Sequence, residues 1–233
     1  YFSSCGWDIC MANHRGCSGE HNRLARSYHS GNTADLDELL NYVQEKYDYD
    51  TMSVIGYSLG GNIALKYASE LSNTNILSSV VGVSVPCDLK SAAERLSERD
   101  NFIYNRRFLK RLKKKLEAKA PFHSNIKKLM PDVHKARRLQ DFDELYTAPF
   151  HGFENADDYY AKASSLSDLS KVKIPVLLVN SSDDPFLSDS CYPEISGNTK
   201  LETLYPDQGG HVGFYRKDYW LFPVIEEFLS KNS

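Results

Sequence analysis

The sequence predicts an α/β fold, a mostly parallel sheet with crossover helices, and three observations carry that reading. Short apolar runs of strand length alternate with longer stretches of helical periodicity. The runs Thr51–Gly56 (TMSVIG), Ser79–Val85 (SVVGVSV) and Lys173–Asn180 (KIPVLLVN) are almost continuously apolar, as strands buried on both faces are. Between residues 87 and 170 the strand signal disappears, and helical sequence rich in Lys, Arg and Tyr takes over, broken at Pro121, Pro131 and Pro149.

The elements follow in order. Trp7–Asn13 (WDICMAN) reads as a strand, ended by the turn residues Arg15-Gly16-Cys17-Ser18-Gly19. Thr33–Tyr47 reads as a helix: Leu36, Leu39, Leu40 and Val43 share one face, and Thr33 is placed to cap its start. The strand Thr51–Gly56 leads into a helix over Asn62–Leu71, and the strand Ser79–Val85 follows. Past the helical stretch, Lys173–Asn180 and Lys200–Tyr205 (KLETLY) read as strands, and Tyr219–Leu229 as a closing amphipathic helix. The prediction is a single domain over 1–233, with 87–170 inserted between two of its strands as a helical cap.

Composition narrows the function classes. The 233 residues are 41% hydrophobic and 25% charged, with a formal net charge of −3, which argues against a protein dedicated to nucleic acid. The charge is uneven, because Phe102–Arg138 holds 13 Lys or Arg against the acids Glu117 and Asp132. A shift that sharp in mid-chain is a further sign of an insertion. No apolar run approaches the ~20 residues that a membrane-spanning helix needs. Cys5, Cys10, Cys17, Cys87 and Cys191 are scattered and form no CxxC pair, which speaks against a zinc site or a disulfide framework. A reducing, cytoplasmic setting is expected, with a targeting or membrane segment ahead of Tyr1 left open. No cofactor and no metal are expected.

Gly56-Tyr57-Ser58-Leu59-Gly60 matches GxSxG, with a strand before it and a helix after it. On such a turn the serine is lifted above the sheet edge, and side chains at Gly56 or Gly60 would collide with neighbouring backbone. Ser58 is therefore the candidate nucleophile. The amide of Leu59, at the positive end of the following helix, is a candidate oxyanion-hole donor. A serine nucleophile needs a base, and the base needs an orienting carboxylate. His211 follows the Lys200–Tyr205 strand in the loop Gly209-Gly210-His211, where the glycines let the backbone bring an imidazole inward. His14, His21 and His29 precede Ser58, and His123, His134 and His151 fall in the inserted stretch. For the acid, Asp183 stands three residues after Asn180 and is favoured; Asp184 precedes Pro185 and reads as a turn residue.

Together with Gly56-Tyr-Ser-Leu-Gly-Gly-Asn62, the stretches Arg15-Gly-Cys-Ser-Gly-Glu20, Tyr28-His-Ser-Gly31, Tyr146-Thr-Ala-Pro-Phe-His-Gly-Phe153, Asp157-Asp-Tyr-Tyr160, Asp183-Asp-Pro-Phe186 and Gly209-Gly-His-Val-Gly-Phe214 cover nearly the whole chain in order. In these the sequence resembles the YheT-like branch of the α/β-hydrolases, whose animal relatives are membrane-anchored phospholipase-type enzymes. The resemblance implies ester hydrolysis through an acyl-enzyme, lipid or short- to medium-chain acyl esters as substrates, and a triad of Ser58, Asp183 and His211. The departure lies at the front. The family has further strands there, with a His-Gly-like loop that donates the second oxyanion-hole amide. An upstream segment of roughly 60–100 residues is therefore expected, judged from strand-plus-helix unit lengths, and the chain alone is expected to be insoluble or inactive.

Two other functions use the same features: acyl transfer to an alcohol or thiol by the same triad, and a non-catalytic hydrolase-like module that binds through its cap. The stretch Arg106–Leu116 aligns Phe108, Leu109, Leu112 and Leu116 along one helical stripe among Lys and Arg. It reads first as a helix that buries the stripe and solvates its charges, and second as one that meets anionic lipid or an acidic substrate. The Tyr-rich stretch Tyr146–Tyr160 reads as packing.

Overall fold

The computed structural model describes residues 1–71, 77–214 and 220–233. In chain order its regular elements are α1 (Thr33–Tyr47), β1 (Ser53–Tyr57), α2 (Leu59–Glu70), β2 (Ser79–Val83), α3 (Leu89–Leu96), α4 (Phe102–Lys119), α5 (Ser124–Lys135), α6 (Leu139–Phe142), a π-turn (Asp143–Thr147), α7 (Ala148–Phe150), α8 (Ala156–Ala163), β3 (Val176–Val179), β4 (Leu201–Leu204) and α9 (Leu221–Lys231). Contacts divide the chain into two compact units. One comprises Tyr1–Met11, Ser30–Asp88 and Ser164–Ser233; the other comprises Ala12–His29 and Leu89–Ala163.

The first unit is built on a parallel sheet in the order β1-β2-β3-β4. All residues of β2 and β3 are buried, as helices on both faces of a parallel sheet require. Val81, Val83, Leu177 and Val179 pack against Leu221, Ile225, Phe228 and Leu229 of α9. Alternation turns Gly82 to the opposite face, where it meets Leu65 of α2 closely enough that a Cβ would lie 3.1 Å from the Leu65 Cγ. The predicted closing helix begins at Leu221, and Tyr219 lies outside the described residues.

Two sequence expectations are corrected here. Trp7–Asn13 forms no strand. An apolar alternation becomes a strand only where a ladder accepts its backbone groups, and among the described residues β1 pairs with β2 alone. Trp7 packs against the α9 cluster, while Ile9 and Met11 stand 54% and 89% exposed. Thr33 does not cap α1: it is the first helical residue, behind Asn32, and its hydroxyl donates to Glu70 Oε2 at 2.8 Å.

The second unit is helical. Its larger core gathers Leu109 and Leu116 of α4, Ile126, Met130 and Val133 of α5, and Phe142 with Tyr146. It draws on residues 12–29 as well as on sequence within the expected 87–170 stretch, and the reason is hydrogen bonding. Coil carbonyls need donors. The Ala25 carbonyl accepts from Lys119 Nζ at 2.8 Å and Tyr146 OH at 2.6 Å, and the Ser27 carbonyl lies 2.9 Å from His151 Nε2. Lys119 is almost wholly enclosed; burial, with Arg15 nearby, lowers its pKa to about 8.

The π-turn holds a half-buried carboxyl, Asp143, which accepts from Thr147 Oγ1 at 2.5 Å and Tyr160 OH at 2.8 Å. Burial pushes its pKa up to about 6, against the two hydroxyls that favour the carboxylate. A raised folded-state value gives stability that is fully present below the ordinary 3.8 and lost as pH rises through about 6. That displacement is worth roughly 3 kcal/mol at about 1.4 kcal/mol per pH unit. Asp143→Asn cannot titrate, so urea unfolding of the variant at pH about 4 and about 7 should lack this loss. An identical pH dependence for both proteins would contradict the assignment.

Candidate active site

Ser58 sits between β1 and α2 with φ 53° and ψ −121°, a backbone conformation that non-glycine residues avoid. Its amide donates to the carbonyl of Val83 at 2.8 Å, and its own carbonyl accepts from Gly61 and Asn62. Glycine is required at position 56, where a Cβ would lie 2.6 Å from the Gly60 carbonyl carbon and closer still to its oxygen. Asn62 secures the helix that follows, donating to the Ser30 carbonyl at 2.8 Å and accepting the Ser165 amide at 3.0 Å. Leu59 is the first residue of α2, so its amide has no acceptor within the helix and is free to face an oxyanion.

The second loop leaves β3. Asn180, fully buried, accepts the Val85 amide at 2.7 Å and donates to the carbonyls of Val85 and Cys191, tying the end of β3 to the chain that leaves β2. Ser181–Asp184 then closes a turn, with the Asp184 amide donating to the Ser181 carbonyl at 3.0 Å. The third loop carries His211. Gly209 admits no side chain, because a Cβ would lie 2.7 Å from the Phe214 ring and 2.9 Å from Ser181 Cβ, and Gly210 has φ 55°.

These loops bring Ser58, His211 and Asp184 into one line. His211 Nε2 lies 2.9 Å from Ser58 Oγ, and Nδ1 lies 2.8 Å from Asp184 Oδ2. The Asp184 side chain is fully buried and that of His211 is 18% exposed, while Phe186 packs on the imidazole with ring centroids 4.5 Å apart. With a carboxylate on Nδ1, the tautomer favoured at Nε2 is the proton acceptor. The other six histidines all belong to the helical unit.

Asp183 does not contact His211 in this arrangement, and the choice of Asp183 over Asp184 is corrected. Asp183 Oδ1 accepts from Ser181 Oγ at 2.5 Å and from the amides of Gly209 and Gly210 at 2.9 and 2.7 Å. Burial opposes its ionisation, but the Ser181 hydroxyl and the Gly210 and Gly209 amides outweigh it and hold the carboxyl below its usual range. Asp183 thus holds the backbone of the histidine loop. Asp184 does what a residue before proline does, accepting the Phe186 amide at 2.9 Å on Oδ1, and its Oδ2 remains for the imidazole. The available sequence signal was the Asp-Pro pair, read as a turn and nothing more.

A family model described as alpha/beta hydrolase fold matches residues 1–218. YheT of Escherichia coli is 32% identical over 97% of this chain and 68% of its own length. The human phospholipase ABHD3 is 29% identical over 96% of this chain, which spans 56% of it. Among solved structures, an esterase of Pyrococcus furiosus matches with a TM-score of 0.52 at 18% identity, over 88% of this chain and 63% of that one, a likeness of fold. Together with the strand–serine–helix turn and the parallel sheet, these matches show that the chain belongs to the α/β-hydrolase fold family, in its YheT-like branch.

Proposed function

We propose that the chain hydrolyses carboxylic esters through Ser58, His211 and Asp184, and the observation that carries this is the unbroken line from Ser58 Oγ to Asp184 Oδ2. Ser58 Oγ attacks the acyl carbon as its proton passes to His211 Nε2. Negative charge on the tetrahedral oxygen meets the Leu59 amide at the head of α2. The intermediate collapses to an acyl-enzyme as His211 protonates the leaving alkoxide. Water then repeats the sequence: His211 takes its proton, the hydroxyl attacks, and Ser58 leaves with the proton returned. Asp184 orients the imidazole and stabilises its charged form without itself being protonated.

The relative named a phospholipase favours acyl esters of lipids as the substrate class. The test is a series of nitrophenyl esters of increasing acyl length, run beside labelling with a fluorophosphonate. Labelling of Ser58 and a rate that depends on acyl length are expected. An acceptor alcohol in the assay separates hydrolysis from acyl transfer, since a transferase would release mostly the new ester. Absence of both labelling and turnover in a folded protein would leave only a binding module.

A further inference from the structure

We infer that the outward side of α4 is a docking face for a bilayer of anionic lipid. The helix runs from Phe102 to Lys119, and its inward stripe is already engaged, with Leu109 and Leu116 buried and Leu112 packed against the same cluster. At 100° per residue, Ile103, Arg107, Lys110 and Lys114 fall within an arc of roughly 60° on the side away from that stripe, flanked by Arg106 and Arg111. All six are exposed.

The basic residues of this segment divide into two sets. Lys113 donates to the carbonyls of His134 and Ala136, Lys115 to Cys17, and Lys119 to the carbonyls of Ala25 and Arg26. Arg106, Arg107, Lys110, Arg111 and Lys114, by contrast, meet no carboxylate among the described residues, and Glu117 of the same helix is paired with His134 at 3.0 Å. All five take part in i,i+4 like-charge pairs, Arg106–Lys110, Lys110–Lys114 and Arg107–Arg111, each unfavourable in an isolated helix. Such a row gains from a surface of opposite charge.

The apolar end of the face selects the kind of surface. Phe102, Ile103 and Tyr104 stand 56%, 69% and 43% exposed in the first turn, directly ahead of the cations. A duplex nucleic acid presents phosphates to the cations but no apolar layer to these three side chains. A bilayer offers both layers, headgroup phosphates for the cations and the acyl boundary for the apolar tip. Among the described residues no helix is long and apolar enough to cross a membrane.

Flotation of the full chain with vesicles tests this. The vesicles are phosphatidylcholine alone, or phosphatidylcholine with roughly 30% phosphatidylserine. Binding to the anionic vesicles at about 0.15 M salt, lost at about 1 M salt, is expected. Each basic residue near an anionic surface is worth about fivefold in binding, so Arg106→Gln/Arg107→Gln/Lys110→Gln should weaken it about a hundredfold. Ile103→Ser, which leaves the charges intact, should weaken it about tenfold and guards against misfolding of the triple variant. The triple variant Lys46→Gln/Lys200→Gln/Lys231→Gln, with the same charge change in the sheet unit, should keep its binding. Equal losses in the two triple variants, equal binding to neutral vesicles, or binding to single-stranded DNA without binding to vesicles would each overturn the inference. The readout needs no catalysis, so its failure would leave the ester-hydrolase reading standing.

Discussion

Ser58→Ala should lower turnover of a short-chain nitrophenyl ester by roughly 10⁴-fold or more, with the thermal unfolding midpoint close to that of the parent protein. The substitution removes the attacking oxygen and the partner of His211 Nε2, and little packing. Alanine also inherits the backbone at φ 53°, where serine is already strained, so the sheet and α2 are asked for nothing new. Residual rate should remain above the uncatalysed reaction, because the Leu59 amide still meets an oxyanion and the substrate still binds. Fluorophosphonate labelling should vanish with the serine. A folded Ser58→Ala protein that keeps a tenth of its activity would remove Ser58 from the mechanism.

The neighbouring aspartates should separate just as sharply. Asp184→Asn is expected to reduce turnover by roughly 10⁴-fold, because an amide at this position can donate to Nδ1 and stabilise the tautomer whose Nε2 already carries a proton. Asp183→Asn should stay within about tenfold: the asparagine oxygen still accepts from the amides of Gly209 and Gly210 that hold the histidine loop. Asp183→Ala loses that acceptor and should fall between the two. A steady-state comparison of the three variants, with unfolding curves beside it, decides the matter. A larger loss for Asp183→Asn than for Asp184→Asn would restore Asp183 as the orienting acid.

Counting from the strand end assumes that the strand ends where its apolar run does. In the structure β3 stops at Val179, and Asn180 serves instead as a buried hydrogen-bond bracket between the loops. The turn that follows sends adjacent carboxylates to different partners, one to backbone amides and one to the imidazole. The groups that settle the pair, the His211 imidazole and the amides of Gly209 and Gly210, lie more than twenty residues away along the chain.

Trp7–Asn13 shows the same gap from the other side. Its alternation of apolar and polar residues is a property of the segment, but strand formation is a property of a pair. Within residues 12–29 the sequence offers a turn at Arg15–Gly19, and the segment's place in the helical unit rests on donors from Lys119, Tyr146 and His151, all remote in sequence.

What the sequence determined by itself was whatever depends on neighbours along the chain. The parallel-sheet class follows from the apolar runs that became β1 to β3, and α1 from an apolar periodicity whose limits match the helix. The turn at Ser58 follows from Gly56, where only the absence of a side chain lets β1 meet α2. Only the tertiary structure decided which carboxylate faces His211, which segment joins the helical unit, and that Trp7–Asn13 pairs with no strand among the described residues. The physical reason is that periodicity and backbone sterics act over a few residues. Hydrogen-bond partners for a carboxylate, a carbonyl or a strand edge are chosen by distance in space, after the loops have closed.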